Sequence, residues 1–267
     1  LCCSIWDRSN GLLPQFNPMS TLLNLPDHQF WLVILICLLA GIVRGFSGFA
    51  LSALVMASAA LIIPPIELIP VCWWLELCAG LMMIRGGWKE ADRRLAITLV
   101  VGSSLGMPLG LYLTTQVSVP LSQTLALGCI ATLAALLLGK IKLDFLANPK
   151  GHLGVGVCAG IATGLASVGG MVVALFVLVS NVPARQMRAT LVVFLLLSGV
   201  LSLIILIAFG VMDERAALRG VILSIPATLG VYLGTKFFIP RLEPFYRPFC
   251  LLLLIGLALM GLIRIGL

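Results

Sequence analysis

The stretch GIVRGFSGFA, residues 41–50, separates two apolar runs and contains an arginine, a serine and three glycines. An arginine inside an apolar segment is costly unless it pairs with another group or faces water. Irregular backbone at membrane depth is tolerated only where protein buries it or a cavity wets it. The stretch therefore predicts a break between two helices, with Arg44 inside the protein rather than in lipid.

The composition around this stretch is that of an integral membrane protein. Of the 267 residues, 61% are hydrophobic and 10% are charged, and the mean hydropathy is +1.16. A soluble domain carries roughly a quarter charged residues. Apolar segments near 20 residues long recur without the alternating pattern of a membrane barrel, which predicts an all-α integral membrane protein. The net charge of +7 is explained by basic loops on one side of the membrane, so nucleic acid is not an expected partner.

The cysteines and histidines indicate no metal site or cofactor. The eight cysteines lack paired spacing, and the chain has only two histidines. Most of the cysteines fall inside apolar segments, where cysteine acts as a small hydrophobe.

About ten hydrophobic segments can be marked along the chain, five in each half. The first two of each half are too short to cross a membrane, since segment 31–43 is roughly 20 Å of helix against roughly 30 Å of hydrocarbon. Glycines rather than a charged loop join each short pair: Gly45 and Gly48 in the first half, and Gly164, Gly169 and Gly170 in the second. Each short pair therefore predicts a re-entrant helical hairpin.

The two halves repeat each other in order. GIVRGFSG (41–48) aligns with GIATGLAS (160–167) at an offset of 119 residues, and LGMPLGLYL (105–113) resembles LGVYLGTKF (229–237) at an offset of 124. Each half would hold one hairpin and three spanning helices, an odd number of crossings, so the second repeat would be inverted relative to the first. Inverted repeats with interrupted helices at matching places are typical of secondary transporters with a mid-membrane site.

The chain divides accordingly into an N-terminal extension (1–29), a first repeat (30–139), a cytoplasmic linker (140–152) and a second repeat (153–267). The stretch before Met19 lacks the features of a signal peptide and is expected to carry no function.

Basic residues predict the orientation in the membrane. When the spans alternate, twelve of the seventeen lysines and arginines fall on one side, which makes that side cytoplasmic and places both termini outside. The twelve are Arg85, Lys89, Arg93, Arg94, Lys140, Lys142, Lys150, Arg185, Arg188, Lys236, Arg241 and Arg247.

The segments AGIVRGFSGFALSALVMASAALIIPPIELIPVCWWLEL and AGIATGLASVGGMVVALFVLVSNVPARQMRATLVVFLLLSGVLSL resemble the two repeats of the TauE/SafE sulfite-exporter family. The resemblance extends over about residues 30–265. It implies a bacterial-type inner-membrane protein that is not an enzyme and that transports sulfite, sulfonates or other small organic anions. The family's usual run of three glycines after the first turn is reduced here to Gly45, Gly48 and then Phe49-Ala50, whereas the second repeat keeps Gly169-Gly170.

Arg44 is the first candidate for binding such an anion, because its fork-shaped guanidinium can hold two oxygens. The alternative is a structural tie to an acid or to carbonyl groups of the hairpin. Its counterpart in the second half is Thr163, so any such charge comes from one half only.

The turns are the second candidate element. Helices starting at Gly48 and Gly169 would point free N–H groups and positive dipole ends at the centre of the protein. Ser47 and Ser167 are expected at the N-cap positions, where each hydroxyl would cap its helix or donate to a ligand. The predicted substrate-binding residues are Arg44, Gly45, Ser47, Gly48, Gly164, Ser167, Gly169 and Gly170.

Glu76 lies near the middle of an apolar segment, beside two tryptophans. A carboxyl group at this depth is a candidate proton carrier that couples transport to protons. The alternative is a protonated glutamate that is hydrogen-bonded between helices.

These features favour a secondary transporter for a small oxyanion, which works by alternating access. Its expected partners are the anion and the lipid bilayer, and the oligomeric state is not indicated. A passive anion channel of the same fold and a membrane scaffold protein remain alternatives. A rhomboid-like serine protease is suggested by GFSG (45–48) and His152, but the predicted topology puts these on opposite sides of the membrane, whereas a nucleophile and its base must be in hydrogen-bond reach.

Overall fold

The structure, a computed structural model, describes residues 26–87, 90–139, 149–179, 184–236 and 243–266. Within these ranges the chain forms α-helices joined by short turns, with no strand. The helices of the first half are α1 (Asp27–Ser47), α2 (Leu51–Ala59), α3 (Pro65–Gly87), α4 (Arg93–Gln116) and α5 (Val119–Leu138). Those of the second half are α6 (Pro149–Ala166), α7 (Gly169–Val179), α8 (Ala184–Ala208), α9 (Glu214–Lys236) and α10 (Glu243–Gly266).

Six of the described helices, α1, α3, α4, α5, α8 and α9, are long and apolar enough to cross a membrane. This confirms the prediction of an all-α, multi-pass membrane protein. The count of ten membrane segments and the re-entrant hairpins stay predictions. Residues 1–25 of the predicted N-terminal extension and residues 140–148 of the predicted linker lie outside the described residues.

The predicted end of the first segment at residue 43 is wrong. Helix α1 has 21 residues, roughly 31 Å of helix, which is enough to cross the hydrocarbon core. It continues through Gly45 because glycine weakens a helix by only about 1 kcal/mol, which tertiary packing outweighs. Likewise, α6 continues through Gly164 and ends at Ala166.

The helix contacts of the two halves match when α1–α5 are set against α6–α10 in order. Helix α4 packs on α6, and α9 packs on α1, which is the same pairing with the halves exchanged. The contact of α3 with α9 corresponds in the same way to that of α8 with α4. Two further contacts, α3 with α8 and α5 with α10, join equivalent helices.

Glycine rows make the α4–α6 and α1–α9 contacts unusually close. A Cβ atom added at Gly106 would lie 2.1 Å from the Val157 carbonyl oxygen, and one at Gly234 would lie 2.2 Å from the Ile42 carbonyl oxygen. Only a residue without a side chain lets the two backbones approach this closely, as in other membrane helix pairs. The same kind of contact recurs at Gly41, Gly45, Gly102, Gly110, Gly156, Gly160, Gly164 and Gly230.

The two short helices lie inside the protein. In α2, every residue except Ser58 is buried, and the described side chains of α7 are mostly buried as well. A helix that is apolar on all sides belongs in the interior. The outer faces of α4 and α9 instead expose large apolar side chains such as Leu105 and Ile225, as expected for helices that face lipid.

Candidate functional site

Two helix breaks face the interior of the protein. The first break, residues 48–50, follows α1, and the second break, residues 167–168, follows α6. Gly48 and Ser167 are at equivalent positions and both have positive φ, +78° and +57°. The Gly48 N–H donates to the Arg44 carbonyl oxygen at 2.9 Å, and the Ser167 N–H donates to the Thr163 carbonyl oxygen at 2.8 Å. Both helices therefore end in a left-handed C-terminal cap.

The prediction that Ser47 and Ser167 occupy N-cap positions is wrong. Ser47 is the last residue of α1, and Ser167 caps the end of α6. The residues directly before α2 and α7 are Ala50 and Val168. The reason is the length of the breaks, since three residues separate Ser47 from α2 and one residue separates Ser167 from α7. The side chain of Ser47 is outside the described part of the structure.

Arg44 is wholly buried in the last turn of α1. Its Nη1 donates a hydrogen bond of 2.6 Å to the Gly48 carbonyl oxygen, and its Nη2 lies 3.0 Å from Oε2 of Glu76 on α3. A cation at a helix C-terminus also interacts favourably with the helix dipole. The structural role considered for Arg44 is therefore present, with both a carbonyl group and an acid as partners.

The Glu76 carboxylate lies at the N-terminus of α2. Its Oε1 accepts hydrogen bonds from the Ser52 hydroxyl at 2.8 Å and from the Ser52 backbone N–H at 3.4 Å. Ser52 is in the first turn of α2, where N–H groups have no partner within the helix. The carboxylate thus binds where a helix terminus favours an anion.

One edge of the Arg44 guanidinium has no hydrogen-bond partner among the described residues. Neither Nε nor Nη2 makes a hydrogen bond, and the same holds for Oε2 of Glu76. Nη2 and Oε2 are thus close enough for an ion pair but poorly aligned for a hydrogen bond. The Nε and Nη2 groups lie on one side of the planar guanidinium and together can hold two oxygens of an anion.

Two adjoining cavities surround these groups. The small cavity lies between the two breaks and is lined by Arg44, Ala50, Ser52 and Ser167, among others. The large cavity extends between α3 and α8. The two cavities share the lining residues Glu76, Ser167, Gly170 and Leu195.

A family model described as "Sulfite exporter TauE/SafE" matches residues 33–261, which include every residue that lines the two cavities. The chain belongs to the TauE/SafE family. This is a family of membrane transporters, and membership implies a small anionic substrate. Comparisons with curated proteins and with solved structures gave no match.

In this TauE/SafE protein, five of the residues singled out from the sequence lie around the cavities: Arg44, Glu76, Ser167, Gly169 and Gly170. Gly48 contributes only its carbonyl oxygen, as the partner of Arg44. Gly45 and Gly164 lie elsewhere, since they pack against the backbones of α9 and α4. His152 packs its ring against Phe176, with 5.3 Å between ring centroids.

The sequence reasoning missed several polar residues of the TauE/SafE site. Ser52 binds Glu76, and Ser198 and Ser202 line the large cavity. The last two are four residues apart on α8 and therefore share one helix face. This four-residue spacing of two serines in an otherwise apolar segment could have identified them as site residues from the sequence. Trp73 also lines this cavity, and its Nε1–H donates to the Gly199 carbonyl oxygen at 2.8 Å.

Proposed function

We propose that this protein is a secondary transporter for a small oxyanion such as sulfite or a sulfonate, which binds beside Arg44 between the two helix breaks. One observation carries the proposal: a wholly buried guanidinium, whose Nε has no hydrogen-bond partner in the described structure and whose Nη2 pairs with the Glu76 carboxylate, borders a cavity lined by both breaks. A planar guanidinium matches the geometry of an oxyanion. The remaining residues of the site are Ser167, Gly169 and Gly170.

The proposed architecture is two inverted repeats, each consisting of a helical hairpin with one short arm, α1–α2 or α6–α7, and three spanning helices. The lengths of α2 and α7, 9 and 11 residues, support it, because they correspond to only roughly 14 and 17 Å of helix. The matching helix contacts of the two halves support the duplication. Rocking of one repeat against the other would open the site to each side in turn.

We further propose an inner-membrane location with both termini outside, on the basis of the excess of basic residues in the loops of one side. A C-terminal alkaline phosphatase fusion tests the orientation. The C-terminal fusion is expected to show high phosphatase activity, because its phosphatase would lie outside the inner membrane. If only a fusion placed in the loop between α3 and α4 were active, the assignment would be reversed.

The function is tested by uptake of labelled sulfite and methanesulfonate into proteoliposomes. Arg44→Gln is expected to abolish uptake, and Arg44→Lys to leave a small fraction, because lysine supplies a charge without the two-pronged geometry. The matched control is Arg219→Gln. Arg219 also pairs with a glutamate on α3, Glu67, but lines neither cavity.

Wild-type uptake rates in a correctly folded Arg44→Gln protein would contradict the proposed site. Accumulation of the anion above its external concentration would distinguish a coupled transporter from a passive channel, which only equilibrates it.

A further inference from the structure

We propose that the Glu76 carboxylate takes the place of the substrate anion in the empty protein. It binds the hydrogen-bond donors that the substrate would use, and it releases these donors when it is protonated. The inference rests on the proposed anion site and specifies how that site is coupled to protons. Each anion would then cross together with a proton.

The donors that hold Glu76 are those that an oxyanion would use. They comprise the hydroxyl and backbone N–H of Ser52 at the N-terminus of α2 and the buried guanidinium of Arg44. Helix N-termini and guanidinium groups are the usual binding partners of oxyanions. The carboxylate is an oxyanion supplied by the protein itself, and both donor groups border the small cavity.

The charges in the site favour exchange over simultaneous binding. Arg44 and Glu76 are the only charged residues that line either cavity in the described structure. An anion that bound beside an ionised Glu76 would place two negative charges against one positive charge in a poorly solvated site, which is unfavourable. A proton on Glu76 removes that conflict, so the site is neutral both when empty and when it holds a monovalent anion.

Among the described side chains of the surrounding helices, none places a competing charge at the two cavities. On α3, the Cys72 thiol lies 4.0 Å from the Ser52 carbonyl oxygen, and Cys37 on α1 is also buried. On α8, the polar groups at the cavity are the hydroxyls of Ser198 and Ser202. On α9, Arg219 pairs with Glu67 rather than with Glu76.

The two halves differ in the charged residues that this mechanism uses. At the offset of 119 residues that relates the two breaks, Thr163 and Leu195 correspond to Arg44 and Glu76. The second half therefore lacks both the guanidinium and the carboxylate, so the two charges occur as a unit in one half. If Glu76 had only a structural role, its carboxylate would stay paired with Arg44 throughout transport.

The experiment is calorimetric binding of methanesulfonate to the purified protein at several pH values, in two buffers with different ionisation enthalpies. Methanesulfonate keeps its single negative charge throughout, so any pH dependence arises from the protein. The wild-type protein is expected to take up a proton on binding, and its affinity is expected to fall about tenfold per pH unit once Glu76 is ionised in the empty protein. Glu76→Gln, which is permanently neutral, is expected to bind without proton uptake and with an affinity that does not depend on pH.

Glu67→Gln is the control and is expected to behave like the wild type, because Glu67 lines neither cavity. Binding by the wild type without proton uptake would overturn the inference and leave the anion site intact, and this measurement needs no variant. A pH dependence that persists in Glu76→Gln would also overturn it. Absence of binding in both proteins at every pH would overturn the proposed anion site together with the inference.

Discussion

Glu76 on α3 and Leu195 on α8 occupy equivalent positions, 119 residues apart, and both line the two cavities. The same offset relates Arg44 to Thr163. The first half thus contributes an ion pair to the lining of the cavities, whereas the second half contributes an apolar and a small polar side chain. The second half provides a natural template for removing the ion pair from the first.

Replacing one member of the pair should destabilise the protein far more than replacing both. Arg44→Thr and Glu76→Leu each leave a buried or partly buried charge without its partner, which costs about 3–5 kcal/mol. The double variant copies the second half and should lie close to the wild type in stability. Thermal unfolding in detergent measures the difference, and a double variant as unstable as the sum of the single variants would contradict the expectation.

Adding one methyl group to a glycine row should push two helices apart. Gly106→Ala and Gly234→Ala place a Cβ 2.1 Å and 2.2 Å from backbone carbonyl oxygens, and overpacking of this kind costs about 1–3 kcal/mol. Gly128→Ala is the control, because no atom beyond its own stretch of helix lies within 4 Å of the added Cβ. The melting temperature in detergent should fall for the first two variants only, and an equal fall for Gly128→Ala would argue against close helix packing as the cause.

Replacing Ala50 by glycine should stabilise the protein. Its φ of +76° is strained for a residue with a Cβ, and the strain costs about 1–2 kcal/mol. Ala50→Gly is therefore expected to raise the melting temperature. Ala60, at the other end of α2, has a φ of −62°, so Ala60→Gly relieves no strain and should lower it. Equal effects of the two substitutions would show that backbone strain at residue 50 is unimportant.

The two neighbouring tryptophans should respond differently to loss of the indole N–H. Trp73→Phe removes the hydrogen bond to the Gly199 carbonyl oxygen, at a cost of about 0.5–1.5 kcal/mol. Trp74 Nε1 is buried and has no hydrogen-bond partner among the described residues, so Trp74→Phe should be neutral or slightly stabilising. Thermal unfolding of both variants tests this, and a larger loss for Trp74→Phe would contradict the assignment of the hydrogen bond.

Much of the membrane architecture could be predicted from the sequence, because it depends on composition and on local pattern. Long apolar runs predicted the helices, and the glycine spacing around residues 41–48 and 160–167 located both breaks within a few residues. The exact break positions could not be predicted. Gly45 and Gly164 read as turn residues, but helix packing against α9 and α4 keeps them helical.

The sequence by itself determined that the chain is a helical membrane protein of the TauE/SafE family with an arginine and a glutamate in its apolar interior. Only the tertiary structure decided that Arg44 and Glu76 face each other across two helices and that Ser52 binds the carboxylate. These contacts depend on the rotation and approach of helices far apart in the chain. Hydrophobic periodicity predicts that each segment is a helix, whereas side-chain packing between helices determines which polar groups meet.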